Sequence, residues 1–231
     1  MEIATDEPTI VTDFFIPELF YDFFYIPKGV VETDGAELPA QFLKALHTGP
    51  IQFNFRAPIV MYGARLLLNG AHFFDEGELR SNRFLQASWV NQGVDDFPAV
   101  VDQISEKTRQ LTMARSAEYL LESEPGWQPL HESNWLQAYS NRHKRRLYKS
   151  RFGLSRKEMV TIQNVHHFLE QSCDFSSQDP HIIDHVNDEH FYDQPHLSRS
   201  FKKVTGFTLL EYFEANTILQ DNLMAVSYKE E

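Results

Sequence analysis

The chain has 231 residues, a length that suits one large domain or two small ones. Apolar residues make up 42% of it, including 19 Phe and 9 Tyr, so the composition excludes wholesale disorder and predicts a substantial core. The formal net charge of −12 argues by itself against a nucleic-acid partner, because phosphate binding needs a basic surface.

The composition also predicts a soluble, cytoplasmic protein. The single cysteine, Cys173, allows no internal disulfide, which fits a reducing compartment. The chain opens with MEIATDEPTIV, without a basic and then apolar signal segment. Its most apolar run, residues 14–27, contains two acids and two prolines and is shorter than the roughly 20 residues of a membrane span. We therefore expect no membrane partner.

The first half of the chain is predicted to be rich in β-strands. Aromatic and β-branched runs broken by Pro and Gly predict strands at residues 10–16, 19–26, 41–47, 51–55 and 59–67. Helical spacing follows at residues 97–110 and 114–123. Proline, glycine and charge at residues 122–129 mark a linker, so the predicted boundaries are a first domain at 1–122, a linker at 123–128 and a second domain at 129–231.

The acidic excess belongs mostly to the first half. Residues 1–124 contain 9 Lys and Arg against 19 Asp and Glu, whereas residues 125–231 contain 12 against 14. Within the second half, residues 142–157 include eight Lys and Arg and no acid. The basic charge is therefore local, and the net charge of the whole chain does not exclude DNA.

An internal repeat lies in this helical second half. The segments SNRHKRRLYKSRFGLSRKEM (140–159) and DQPHLSRSFKKVTGFTLLEY (193–212) both show a polar cap, a basic helix, a glycine and a hydroxyl residue two positions later. An offset of 53 residues aligns Arg146 with Arg199.

The second copy shows why such a helix suits DNA. Asp193 is a suitable N-cap, and Gly206 can take the left-handed conformation that ends a helix. Leu197, Phe201 and Val204 form one apolar stripe, which leaves the basic residues on another face. One such helix alone would be interpreted as a solvated face. Two copies at a fixed offset favour helices that enter a major groove.

Segments suited to supporting helices precede each copy, at residues 127–140 and 179–192. Residues 162–173 would form a long helix that joins the two units. A helix, a tight turn and a basic helix make up a helix-turn-helix unit.

Residues 127–215 resemble the AraC/XylS family of bacterial transcription regulators. The second unit of that family reads approximately Asp-Gln-Ser-His-aromatic-x-Arg-x-Phe-Lys-Lys-x-x-Gly-x-Thr, and here it stands as HFYDQPHLSRSFKKVTGFTL (190–209). The first unit stands as SNRHKRRLYK (140–149) followed by FGLSR (152–156). Residues 1–120 look more loosely like the β-rich sensor domain of many members, through FLKALHTGPIQFNF and IVMYGARLLLNGAHFF.

The resemblance implies an α+β protein of two domains. A β-rich, barrel-like (cupin-like) domain would precede an all-α domain of two helix-turn-helix units joined by a long helix. It implies base-facing side chains on both basic helices, namely Arg142, Arg145, Arg146, Gln194, His196 and Arg199. The resemblance also places four other cations against phosphates, namely Lys149, Arg151, Lys202 and Lys203. Phosphate contacts position the protein on DNA but do not read its sequence.

The function expected from this resemblance is sequence-specific binding of double-stranded DNA at a promoter, controlled by a signal at the first domain. RNA polymerase, an unidentified small-molecule effector and a second copy of the chain remain open as further partners. The alternative is a degenerate helix-turn-helix paralogue that acts through protein contacts. It is motivated by the acidic first half, by His190 in place of a turn glycine and by Lys144 in place of a buried leucine.

Nothing in the sequence indicates catalysis or a cofactor. There is no phosphate-binding loop, dinucleotide glycine pattern or nucleophile elbow. His181 and His185 have a spacing that could hold a metal on a helix, but no thiolate or second spaced pair completes a site, so we expect no metal. The chain is predicted not to be an enzyme.

Overall fold

Two long antiparallel strands, β3 (Tyr21–Thr33) and β6 (Ile51–Leu66), form the centre of the main sheet. The computed structural model describes residues 2–3, 9–74, 80–114, 120–122, 130–172, 191 and 193–214. The sheet also contains β1 (Glu2–Ile3), β2 (Thr9–Phe15), β4 (Ala36–Glu37), β5 (Gln41–Lys44) and β7 (Phe84–Gln86). The path β1-β6-β3-β5-β7 gives the strand order, with β2 also paired to β6 and β4 to β3.

The structure confirms the β-rich first half, with one difference in its central strand. The sequence predicts separate strands at residues 51–55 and 59–67, whereas β6 continues through the cis Ala57–Pro58 bond. The register of β6 with β3 shifts in this region, where Val60 faces Lys28 and Arg56 faces Val30. A proline is tolerated there because an irregular stretch of the ladder does not need its missing N–H.

Among the described residues the main sheet is open, so the predicted barrel-like closure is not seen. Its outer strands are β7 on one side and β1 and β2 on the other, and no ladder joins them. The sequence also missed β7, a strand of three residues. So short a run shows almost no alternation of side chains, and its pairing with β5 comes from the tertiary fold.

Side-chain alternation along β3 divides the apolar residues between two cores. Tyr21, Phe23 and Tyr25 belong to one core, which continues into the helical half. Phe24 and Ile26 point to the opposite face and belong to a second core built from strands. Rings from β2, β5 and β6 fill that second core and contact one another edge-on or tilted, at centroid distances of 5.0–6.4 Å.

A buried ion pair lies on the second face of the sheet. Asp22 on β3 is the register partner of Lys44 on β5 and of Arg65 on β6. Its carboxylate accepts from Lys44 Nζ at 2.6 Å and from Arg65 Nε at 2.9 Å. Burial alone would raise the pKa of Asp22, but the two cations outweigh that effect and hold it below its ordinary value.

Five α-helices are seen in the described residues. They are α1 (Phe97–Ala114), α2 (Asn141–Phe152), α3 (Arg156–Ser172), α4 (Gln194–Thr205) and α5 (Leu209–Glu214). Two 3-10 helices, Leu68–Phe73 and Asn134–Ala138, accompany them. None of these helices is long and apolar enough to span a membrane.

Two helical predictions are wrong in part. Within the segment predicted as a helix at 114–123, residues Leu121–Glu122 form strand β8, which pairs with β9 (His131–Glu132). In the described part of the first supporting helix predicted at 127–140, residues 130–140, β9 and the short 3-10 helix take its place. Both errors have one cause, the pairing of β8 with β9, which joins segments on either side of the predicted linker. The periodicity within one segment cannot predict its pairing with another.

We expect Asp22→Asn to lower the free energy of unfolding by about 3 kcal/mol, because it leaves the Lys44 ammonium buried without its carboxylate. The paired change Asp22→Leu with Lys44→Met should recover most of that loss, since neither charge of the buried pair then remains and Arg65 keeps its ion pair with Glu18. Urea denaturation at neutral pH measures both. If Asp22→Asn were as stable as the wild type, that result would contradict the assignment of Asp22 as the carboxylate that pairs with buried Lys44.

We expect Phe201→Ala to lower the free energy of unfolding by about 3–5 kcal/mol, because Phe201 is fully buried. Its ring lies 6.0 Å from that of Phe168 and 5.3 Å from that of Tyr212. Urea denaturation checks this value. The neighbouring exposed change Lys202→Ala is the control and should shift the free energy by less than about 0.5 kcal/mol.

Candidate nucleic-acid interface

The first basic helix, α2, is defined by caps at both ends. Ser140 is the N-cap, and its hydroxyl accepts from the backbone N–H of His143 at 3.4 Å. Gly153 ends the helix with φ +71°, in the left-handed region that favours glycine. Tyr148 and Phe152 are buried and fix which face of α2 turns inward.

The second basic helix, α4, repeats this construction. Asp193 is the N-cap, as predicted, and its carboxylate accepts from the N–H of His196 at 2.7 Å. Gly206 ends the helix with φ +81°. The predicted stripe of Leu197, Phe201 and Val204 is buried. Each helix has 12 residues, and caps and glycines keep the 53-residue offset, so the internal repeat is structural.

The base-facing candidates of α2 are exposed. Arg142, Arg145 and Arg146 all lie on the outer face of the helix. The Arg146 guanidinium lies 3.1 Å from Nδ1 of His143, whose ring stacks on Tyr139 at a centroid distance of 4.6 Å. These arginines have no acidic partner in the part of the chain that the structure describes.

The other two candidates on α2 contact the protein itself. Lys149 Nζ donates to the carbonyl of Gly153 at 2.9 Å and lies 3.4 Å from the Glu158 carboxylate. Arg151 is half-buried, and its guanidinium donates to the carbonyl of Phe74 at 3.2 Å, in the sheet half of the chain. Both side chains therefore help to hold α2 in place.

The candidates of α4 lie on its open face, where Gln194, His196, Arg199, Lys202 and Lys203 are all exposed. Four of them, all except His196, line a cleft of about 650 Å³ between α4 and the start of α5. Thr208, Leu209 and Leu210 form the opposite wall, and Leu210 is 63% exposed. This face combines cations with apolar surface, a mixture that suits a sugar-phosphate backbone and base edges.

Glu132 on β9 links the helices of the first unit where the predicted supporting helix is missing. Its carboxylate accepts from Lys144 Nζ at 2.7 Å and from the Tyr148 hydroxyl at 3.3 Å, and lies 3.3 Å from Arg156 Nε. Only 19% of the Lys144 side chain is exposed, so this ion pair explains how a lysine occupies an inward position. The acid and the lysine are 12 residues apart, and no motif in the sequence marked the contact.

The supporting segment of the second unit, predicted at 179–192, lies almost entirely outside the described residues. The same is true of three histidines and three acids within it, namely His181, His185, His190, Asp184, Asp188 and Glu189. Within the described ranges, no group of three or more His, Cys, Asp or Glu side chains could hold a metal ion.

Comparison with models of known families finds no match to this chain, and comparison with characterised protein sequences finds none either. Among solved structures, ToxT from Vibrio cholerae at 1.65 Å is similar, with 9% identity and a TM-score of 0.42 over 90% of this chain and 97% of that one. An apo variant of ToxT from strain SCE256 gives 10% identity and a TM-score of 0.41, over 91% and 98%.

We expect Glu132→Gln to lower the free energy of unfolding by about 1–2 kcal/mol at neutral pH, because it removes the charge that pairs with Lys144. Burial alone would raise the pKa of Glu132, but the hydrogen bond and charge of Lys144, together with the charge of Arg156, hold that pKa below its ordinary value. A carboxyl with a lowered folded-state pKa stabilises above its unfolded pKa and loses that contribution as pH falls through the folded value.

The stability difference between wild type and Glu132→Gln should therefore shrink between neutral pH and about pH 3. Urea midpoints at the two pH values measure it. Glu37→Gln, at an exposed carboxylate on β4, is the matched control and should leave the midpoints nearly unchanged. A stability difference that is the same at both pH values would show that the charge of Glu132 does not contribute to stability.

Proposed function

We propose that this chain is a sequence-specific DNA-binding transcription regulator in which α2 and α4 enter successive major grooves. The main support is the equivalence of the two helices: each has 12 residues, a polar N-cap and a left-handed glycine, and each exposes an arginine at the same repeat position. Those arginines are Arg146 and Arg199. Two units one helical turn apart on DNA would be about 34 Å apart.

The exposed side chains on the two helices differ, and that difference suggests different roles. We assign base contacts to Arg142, Arg145 and Arg146 on α2, because arginine can donate twice to a guanine edge. On α4 we assign base contacts to Gln194, His196 and Arg199, because three different side chains suit a site with several different bases.

Phosphate contacts are assigned to Lys202 and Lys203, which are exposed beside the cleft. Lys149 and Arg151 remain in this set, but their bonds within the protein reduce the contribution we expect from them.

The proposal sets this protein in the bacterial cytoplasm, with a promoter as its main partner. We propose that the sheet half receives the regulatory signal, since it shares one apolar core with the helices that would bind DNA. A signal that favours one arrangement of that core would shift the population of the binding-competent form. RNA polymerase and a second copy of the chain are further proposed partners.

Selection from random double-stranded DNA, followed by mobility shift, tests the function. The selected site should have two parts about one helical turn apart, and affinity should fall steeply as salt increases, because bound cations release counterions. If no sequence is enriched and no salt-dependent shift is seen, the alternative of a helix-turn-helix protein acting through protein contacts is favoured.

We expect the double variant Arg146→Ala and Arg199→Ala to bind the selected site about 100-fold more weakly, because each arginine lost removes a bidentate base contact. Discrimination should relax at one base position in each half of the site. Arg109→Ala on α1, an exposed arginine paired with Glu106, is the matched control and should keep wild-type affinity. Unchanged binding by the double variant would overturn the residue assignment.

A further inference from the structure

Both basic helices end against loops of the sheet half. A Cβ placed on Gly153, at the end of α2, would lie 2.4 Å from the backbone nitrogen of Ser81. A Cβ placed on Gly206, at the end of α4, would lie 2.8 Å from Cγ of Pro50. The two glycines, at equivalent positions of the repeat, therefore both lie close against the first half of the chain, Gly153 against backbone and Gly206 against a proline ring.

The two loops that contact these glycines adjoin the paired strands β5 and β7, and both the backbone and the side chain of Asn82 join them. Asn82, next to Ser81, accepts the backbone N–H of Thr48 on Oδ1 at 2.9 Å. Its Nδ2 donates to the Thr48 hydroxyl at 3.2 Å. The backbone N–H of Asn82 donates to the carbonyl of Leu46 at 2.9 Å. Thr48 is two residues from Pro50, so the contacts run continuously from Gly153 to Gly206.

The backbone of Asn82 shows that this position is specialised. Its φ is +59°, in the left-handed region where asparagine is one of the few tolerated residues with a side chain. In this conformation the Asn82 side chain reaches Thr48, and alanine there would lose the side-chain bonds and would be strained at this φ.

Contacts on either side attach each helix end to the sheet half. Near Gly153, the Arg151 guanidinium donates to the carbonyl of Phe74 at 3.2 Å. Beside Gly206, the ring of Phe207 contacts that of Phe14 edge-on, at a centroid distance of 5.7 Å. The shared core packs both helices on the sheet half, and the link between the two loops joins the two points at which the helix ends are attached.

We propose that Asn82 is a positioning residue that fixes the separation of the two basic helices, through a bracket formed by Thr48, Pro50, Ser81 and Asn82. The inference deepens the proposed function and rests on it for its consequence in DNA binding. Two linked recognition helices bind tightly only when both can engage at once, so a fixed separation raises affinity for one half-site spacing and lowers it for others.

The separation itself can be measured without DNA. Spin labels at Asn141→Cys on α2 and Ser198→Cys on α4, with the single native cysteine changed by Cys173→Ser, report the distance between the helices by double electron–electron resonance. We expect one narrow distance distribution in the otherwise wild-type chain and a broader one with Asn82→Ala. Asn82→Gly, which keeps the left-handed backbone without the side chain, should broaden it too.

Two further variants decide whether the side-chain bond is responsible. Asn82→Asp tolerates the same backbone and keeps the oxygen that accepts from Thr48, so the narrow distribution should return. Asn54→Ala removes a side chain of the sheet half that accepts from Thr12 at 2.8 Å, away from both glycines, and should change nothing. A distribution that stays narrow in Asn82→Ala and Asn82→Gly would overturn the proposal.

The consequence for DNA is tested on the selected bipartite site with one or two base pairs inserted between its halves. Wild-type affinity should fall sharply with each insertion. Asn82→Ala should bind the original spacing about tenfold more weakly and show a flatter dependence on spacing. An equal spacing dependence in both proteins would overturn the inference. Failure of the wild type to select any DNA would overturn the proposed function instead, and the distance measurement would then test the bracket by itself.

Discussion

The alternation of side chains along β3 makes one sheet contribute to two apolar cores at once. Tyr21, Phe23 and Tyr25 face the helices, whereas Phe24 and Ile26 face the strand-built core. Since successive residues of a strand point to opposite faces, both cores together fix the position of β3. The helices α2 to α4 are therefore packed on the sheet half as parts of one core, and the shared packing determines how the two basic helices are presented.

The distribution of cations follows from that packing. Lys144 and Lys149 are held by Glu132 and Glu158, and Arg151 reaches a carbonyl of the sheet half. The exposed arginines Arg146 and Arg199 have no carboxylate against them among the described residues. Cations that stabilise the fold and cations available to a ligand thus occupy different positions on the same short helices, a separation that net charge cannot show.

Local physics made the repeat predictable from sequence. Ser140, Asp193, Gly153 and Gly206 act through their own backbone and nearby N–H groups, so their roles as caps follow from residue type and spacing. The missing supporting helix at 127–140 was not predictable in this way. Its place is taken by β9, which exists because β8 pairs with it, and by Glu132, whose partners come from α2 and α3.

The sequence by itself determined most of the strands of the first half, the two capped basic helices, their 53-residue offset and the residues on their outer faces. These features depend on periodicity and on groups within about four residues of each other. Only the tertiary structure decided which cations are already bonded and that Asn82 joins the loops against which both helices end. Those outcomes depend on contacts between segments tens of residues apart. The local pattern of neither segment predicts such a contact.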